Sequence, residues 1–213
     1  MDNILLIGGG GHATSVLDTL LSSNIYNVIG FTDSNSNIEK TLLGIPYLGD
    51  DSIFQEIYNN GVQNAVIAIG SIGDTSIRLK MYNILKKIGF NLPPIIDSTA
   101  IIGRGCTIGE GAFIGKGVII NALSQINSMA IINSNAVIEH QCHIGAFSHI
   151  SPGCILGGNI TIGNHTHVGI GTTVIQGVKI GDNSLIGAGS IVVKHIGTGI
   201  KAYGNPCREV GIL

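Results

Sequence analysis

The sequence predicts two domains, a small α/β domain followed by an all-β parallel helix of six-residue repeats, and three observations carry that reading. An aliphatic residue recurs at every sixth position through the C-terminal half. A glycine-rich turn follows an apolar run close to the N-terminus. The composition suits both parts: of 213 residues, 32 are glycine, 11% are charged and 5% aromatic, with a mean hydropathy of +0.43.

So few charges exclude a disordered chain and a coiled coil. The glycines do not fall in every third place, which excludes collagen. A net charge of −2 leaves no basic footprint for nucleic acid. The longest uncharged stretch, 117–138, contains Asn121, Gln125, Asn127, Asn133 and Asn135, each costly in lipid, so no membrane segment is expected. The apolar start at 4–7 is too short for a signal sequence and lacks a basic flank. A cytoplasmic protein is expected. Cys106, Cys142 and Cys154 fit it, because they fall at small-residue positions of the repeat and need no disulfide.

The first domain is expected over 1–92. Residues 4–7, Ile-Leu-Leu-Ile, read as a buried strand by their continuous apolar run. Gly8-Gly-Gly-Gly11-His12-Ala13 follows, then a helix near 14–21. A second strand, 28–31, leads to Asp33, twenty residues past Ala13. A G-x-G-x-x-A turn between strand and helix, with an acid at that distance, is a nucleotide-binding fingerprint in its proper context. Gly10 and Gly11 let backbone amides approach a pyrophosphate at the helix start. Asp33 can accept from a ribose hydroxyl or a base. A third strand, 65–69, ends at Gly70, and a helix follows at 77–88. Gly10, Gly11, His12, Asp33 and Gly70 are the candidate substrate-binding residues. The plain alternative is a βαβ unit with a structural glycine turn. A dinucleotide needs two such halves. About ninety residues hold one, so a single nucleotide carrying a sugar fits better than NAD.

Residues 90–94 link to the repeat, expected over 95–197. Steps of six from Ile96 to Val192 visit seventeen positions, and each is Ile, Leu or Val. With one residue in three aliphatic, chance gives this roughly once in 10⁸ trials. Four residues after each aliphatic stands a mostly small residue, such as Ala112, Ser124, Ala136 or Cys154. Gly or Asn often follows the aliphatic directly, as at Gly103, Gly109 and Asn127, where a corner is expected. Period six suits a solenoid of short strands with one aliphatic and one small residue inward per hexad. Three hexads close a coil of 18 residues, and coils stack about 4.8 Å apart. Each coil leaves its inward face to be covered by its neighbours. Residues 198–213 are expected to form a C-terminal tail.

Hexads such as Thr107-Ile-Gly-Glu-Gly-Ala112 and Lys179-Ile-Gly-Asp-Asn-Ser184 resemble the hexapeptide-repeat acyltransferases. That resemblance implies a left-handed parallel β-helix and a homotrimer. With the Rossmann-like first domain, it narrows to bacterial enzymes that N-acetylate nucleotide-linked 4-amino-sugars for glycoproteins and O-antigens. Sialic acid O-acetyltransferases are close relatives and the alternative reading. The most specific segment, Glu139-His140-Gln141-Cys142-His143-Ile-Gly-Ala-Phe-Ser-His149, is similar to the family's E-H-[DE]-C-x-I-G-x-[FY]-x-H stretch.

The resemblance implies acetyl-CoA as co-substrate and His140 as general base. An imidazole titrates near neutrality, which suits the removal of a proton from an attacking sugar amine. The family's orienting acid falls on Gln141, which can accept a hydrogen bond but brings no charge, so Glu139 is a second candidate for that role. The family's placing asparagine falls on Asn133 and its thioester-side histidine on His149. His149, Gly158, Ile170 and Ala188 are the expected coenzyme-binding residues, since the coenzyme of the family lies along the corner columns between subunits. Tyr203-Gly-Asn-Pro-Cys207-Arg208 resembles the family's G-x-P-A ending, with Cys207 in place of alanine.

Residues 18 apart should stack. His140 then lies between Ala122 and Gly158, whose small size is expected to leave room for a ligand. The plain alternative is a solvated corner histidine. His149 and His167 also stack, and with His143 and His165 they raise a zinc reading, known from related carbonic anhydrases. Two stacked ligands with no clear third argue for no metal. A nucleotide-sugar sensor without activity is the non-enzymatic alternative. It is favoured by Gln141 and opposed by His140, Asn133 and His149.

Overall fold

The computed structural model describes residues 1–35 and 38–213 and divides into two compact units. Unit 1 comprises Met1–Ser71 and Ser76–Ser98, and unit 2 comprises Ile72–Thr75 and Thr99–Leu213.

Unit 1 is built on strand β1 (Asp2–Ile7), whose Ile4, Leu5, Leu6 and Ile7 are buried. Such a run, apolar at successive positions, belongs to a central parallel strand covered on both faces. β1 pairs in parallel with β2 (Tyr26–Thr32) and with β5 (Asn64–Ile67). β3 (Thr41–Leu42) and β4 (Ile45–Gly49) complete the order β3-β4-β2-β1-β5. Helix α1 (Gly11–Ser23) buries Ala13, Val16, Leu17 and Leu20 along one stripe. It stops where Asn24 adopts the left-handed conformation, at φ 51°. The buried Thr19 hydroxyl donates to Asp97 Oδ2 at 2.7 Å. Helices α2 (Phe54–Asn59) and α3 (Ser76–Ile88) flank β5 in the chain.

The β3–β4 hairpin is absent from the sequence expectation. Its turn, Leu43-Gly44, takes positive φ at both residues (45° and 84°). That geometry ordinarily draws Asn-Gly or Asp-Gly, so Leu-Gly gives little local signal.

Unit 2 realises the six-residue period. Two-residue strands end on the hexad aliphatics, from Ile101–Ile102 to Ile191–Val192, and residues 18 apart pair in parallel, as in His149↔His167 and Ile150↔Val168. The inward residues, among them Ile114, Ile132, Ile150 and Val168, are wholly buried. The chain closes with Ile200–Tyr203, which pairs in parallel with Leu185–Ile186, and with Arg208–Ile212, which pairs with it antiparallel.

The corners differ from the expectation. The left-handed residue stands three places after the aliphatic, at Gly105, Gly111, Gly117, Leu123, Met129, Asn135, Gln141 and onward in sixes to Gly189. The glycine directly after the aliphatic answers a different need. A Cβ at Gly103 would lie 2.6 Å from Ala122 N, and one at Gly157 would lie 2.8 Å from Gln176 N, so the next coil leaves no space for a side chain. From Leu123 onward the left-handed amides donate to a corner carbonyl one coil earlier, as Gln141 N does to Ala122 O at 3.0 Å, whereas Gly117 N donates to Thr99 Oγ1.

The small inward residues are chosen for chemistry as well as size. Ser124 Oγ donates to Glu139 O (2.8 Å), Thr166 Oγ1 to Gly181 O (2.7 Å), Cys142 Sγ to Gly157 O (3.2 Å) and Cys154 Sγ to Gly169 O (3.1 Å). In each case the acceptor lies fifteen residues ahead, so a hydroxyl or thiol satisfies a corner carbonyl that the ladder leaves over. All four cysteines are free thiols.

Candidate active site

One corner of unit 2 holds the residues with the strongest catalytic pattern. Glu139, His140 and Gln141 follow the strand Val137–Ile138. Ser124 pins this corner from beneath: it donates to Glu139 O and accepts from Cys142 N at 3.0 Å. His140 is exposed, and its Nδ1 meets Gln141 Oε1 at 3.2 Å. An amide oxygen at that position fixes the tautomer with hydrogen on Nδ1 and leaves the Nε2 lone pair facing away from the contact. Of the two candidates for the orienting role, Gln141 is the one whose side chain meets the ring, and the Glu139 carbonyl accepts from Ser124.

Gly158 is nearer to His140 than stacking alone implies. A Cβ there would lie 2.5 Å from both Cε1 and Nε2 of the imidazole. The space expected for a ligand is therefore taken by the ring itself, which lies against the glycine.

Asn133 and His149 are brought together one corner earlier. Asn133 Oδ1 accepts from Ser134 N at 2.8 Å, which turns Nδ2 toward His149 Nε2 at 3.3 Å. His149 then carries its proton on Nδ1. His167 stands edge-on to it, with ring centroids 4.9 Å apart, and is itself held by Ser151 Oγ at 3.3 Å. Among the described residues no third His, Cys, Asp or Glu converges with this pair on a metal position. His143 meets Asn127 Nδ2 at 3.2 Å. His165 stacks on Phe147 and meets Thr75 Oγ1 at 2.7 Å. Ile170 (61% exposed) and Ala188 are neighbouring exposed corners of one column. Residues 175–178 and 193–195 line an open groove that adds Lys194, a cation that no motif in the sequence announces.

Unit 1 contains a separate cleft at the carboxyl ends of β1 and β5. The chain leaves β1 toward β2 on one side and reaches β5 on the other, so this is the switch point where open α/β sheets bind ligands. Gly8, Thr32, Asp33, Ser34 and Ile69 line it, together with Asp51, Ile77, Lys80 and Met81, which sequence reasoning missed. Those four come from outside the glycine motif and carry no spacing signal. Asp33 has a role inside the fold: Oδ2 accepts from Gly9 N and Oδ1 from Asn35 N, each at 2.8 Å. Gly10 caps α1 with no side-chain hydrogen bond, and nothing would meet a Cβ at Gly10 or Gly11, so the chain is open around the helix start. His12 and Gly70 pack on one another: a Cβ at Gly70 would lie 3.3 Å from His12 Cβ. Beyond the expected set, Arg78 of α3 is buried, with Nη1 3.5 Å from Ser71 Oγ. Burial pushes its guanidinium down to about 10.

Comparison with known proteins follows this division. Residues 3–85 match the PglD N-terminal domain, and residues 159–194 match the bacterial transferase hexapeptide of six repeats. No curated protein sequence matches the chain. Among solved structures, PerB from Caulobacter crescentus, in complex with CoA and GDP-perosamine, is 34% identical, with a TM-score of 0.92 over 99% of this chain and 98% of that one. The acetyltransferase domain of PglB from Neisseria gonorrhoeae, in complex with acetyl coenzyme A, is 26% identical, with a TM-score of 0.87 over 98% of each chain. The perosamine N-acetyltransferase has also been solved with a single histidine replaced by asparagine, still in complex with CoA and GDP-perosamine.

Proposed function

Because the chain belongs to the left-handed β-helix sugar N-acetyltransferases that carry a PglD-type N-terminal domain, we propose that it moves the acetyl group of acetyl-CoA to the amine of a nucleotide-linked 4-amino-sugar. The observation that carries this reading is the His140 corner. An imidazole with Nδ1 held by Gln141 presents its Nε2 lone pair as a proton acceptor.

The steps then balance. The neutral sugar amine attacks the thioester carbonyl, and its nitrogen becomes cationic as the C–N bond forms. Nε2 of His140 takes the surplus proton. The tetrahedral intermediate collapses, the C–S bond breaks, and the thiolate of CoA leaves and is protonated, which returns His140 to its neutral form. His149, whose Nε2 meets Asn133 Nδ2, is assigned to the thioester side, where a ring N–H suits the oxygen on which negative charge develops. Ile170, Ala188 and Lys194 are assigned to the coenzyme, Lys194 as a cation for its phosphates, and Gly158 to giving the His140 ring its place. Gly10 and Gly11, at the open start of α1, are assigned to the pyrophosphate of the sugar nucleotide.

The same reading includes a homotrimer, a cytoplasmic location and a place in glycan or O-antigen assembly. No helix of the described residues is long and apolar enough to cross a membrane. Exposed Ile101, Leu123, Ile155, Ile170 and Ile175 supply the coil with apolar contact surface.

The test is release of CoA thiol from acetyl-CoA with nucleotide 4-amino-sugars and, separately, with sialic acid. Release with an amino-sugar alone supports the reading. Release with sialic acid alone makes the protein an O-acetyltransferase, and release with neither favours a sensor.

A further inference from the structure

The cleft of unit 1 carries information about the nucleobase, an inference that rests on the reading above that this unit takes the nucleotide. Its volume of about 210 Å³ is below the roughly 300–1,000 Å³ of sites that enclose a whole small molecule, so it suits one flat portion of the substrate. Ile69 and Ile77 give it apolar wall, and Ile77 is more than half exposed beside it.

Two of its polar side chains, Thr32 and Asp51, make no side-chain hydrogen bond among the described residues. Thr32 is fully buried, and its Oγ1 has no hydrogen-bond partner among the described residues. The Asp51 carboxylate is half-buried and has no side-chain hydrogen bond among the described residues. Burial raises its carboxyl above the ordinary value, Lys80 opposes that rise, and Asp50 and Asp33 add to it. Asp33, by contrast, spends one carboxylate oxygen on each of two backbone amides.

We propose that this cleft holds the nucleobase and that Asp51, together with Lys80, selects guanine over uracil and thymine. Guanine presents two adjacent donors, N1–H and the 2-amino group, which match the two oxygens of one carboxylate. It also presents O6 as an acceptor for an ammonium. Uracil and thymine present one N–H between two carbonyl oxygens, so a carboxylate that takes the N–H is set against oxygen on either side. A bidentate pair of this kind discriminates by roughly tenfold or more.

The experiment is calorimetric titration of the full chain with GDP, IDP, UDP and dTDP, for the wild type and Asp51→Asn. GDP should bind tightest, at least about tenfold above UDP and dTDP. IDP, which lacks the 2-amino group, should fall between. Asp51→Asn should lower GDP affinity about tenfold or more and leave UDP nearly unchanged. Tighter binding of UDP or dTDP by the wild type overturns the proposal, as does a variant with unaltered GDP affinity. Acetyl transfer to a UDP- or dTDP-linked amino-sugar in preference to a GDP-linked one overturns the choice of base and leaves the acetyltransferase reading standing. Absence of both transfer and nucleotide binding overturns the two together.

Discussion

Gln141 stands in the left-handed conformation, at φ 58°, and places an amide oxygen 3.2 Å from His140 Nδ1, at the position where the pattern this segment resembles implies an acid. The geometry of orientation is kept and the charge is lost. Gln141→Glu should restore the charge and stabilise the imidazolium. The acid limb of the pH–rate profile should then move to higher pH. At low pH the variant is slower, because more of its base is protonated, and at high pH it is equal or faster. An unmoved acid limb would show that residue 141 does not contact the base in solution. The histidine segment was legible in the sequence because its residues are contiguous. Asp51 and Lys80 were not, because they lie in stretches with no motif and meet only through the fold.

At the scale of the hexad, the inward thiols behave as short hydrogen-bond donors. Burial pushes the Cys142 thiol up and that of Cys154 up to about 11. Both should therefore stay protonated and resist alkylation in the native protein at neutral pH, which a mass-spectrometric count of labelled thiols checks. Cys154→Ser preserves a donor to Gly169 O and should melt close to the wild type. Cys154→Val leaves that carbonyl unsatisfied and should cost about 1–3 kcal/mol by chemical denaturation. Equal stability of the two variants would remove the thiol from this role. The strands were legible here because each hexad aliphatic must face inward. The left-handed corners were less so, since Leu123, Met129, Gln141 and Phe147 occupy them despite a cost of roughly 1–2 kcal/mol per residue. Their amides donate to the preceding coil, so long-range bonding overrides local preference.

At the scale of the molecule, the coil of unit 2 leaves isoleucine and leucine in contact with solvent at positions spread along its length. The proposed trimer would cover such residues, and light scattering should then give a mass near three times 22.1 kDa. A monomer at every concentration would contradict it. The order of the two units was readable from the glycine motif and the six-residue period, which demand different architectures. The short β3–β4 hairpin was not, because Leu43-Gly44 lacks the residues its turn prefers. The proposed reaction depends on one proton acceptor, so kcat of His140→Ala is the most direct measurement, taken with acetyl-CoA and nucleotide affinities on the same preparation. The account predicts a fall of about 10²–10⁴-fold in kcat with both affinities nearly unchanged. Full activity in that variant would contradict it.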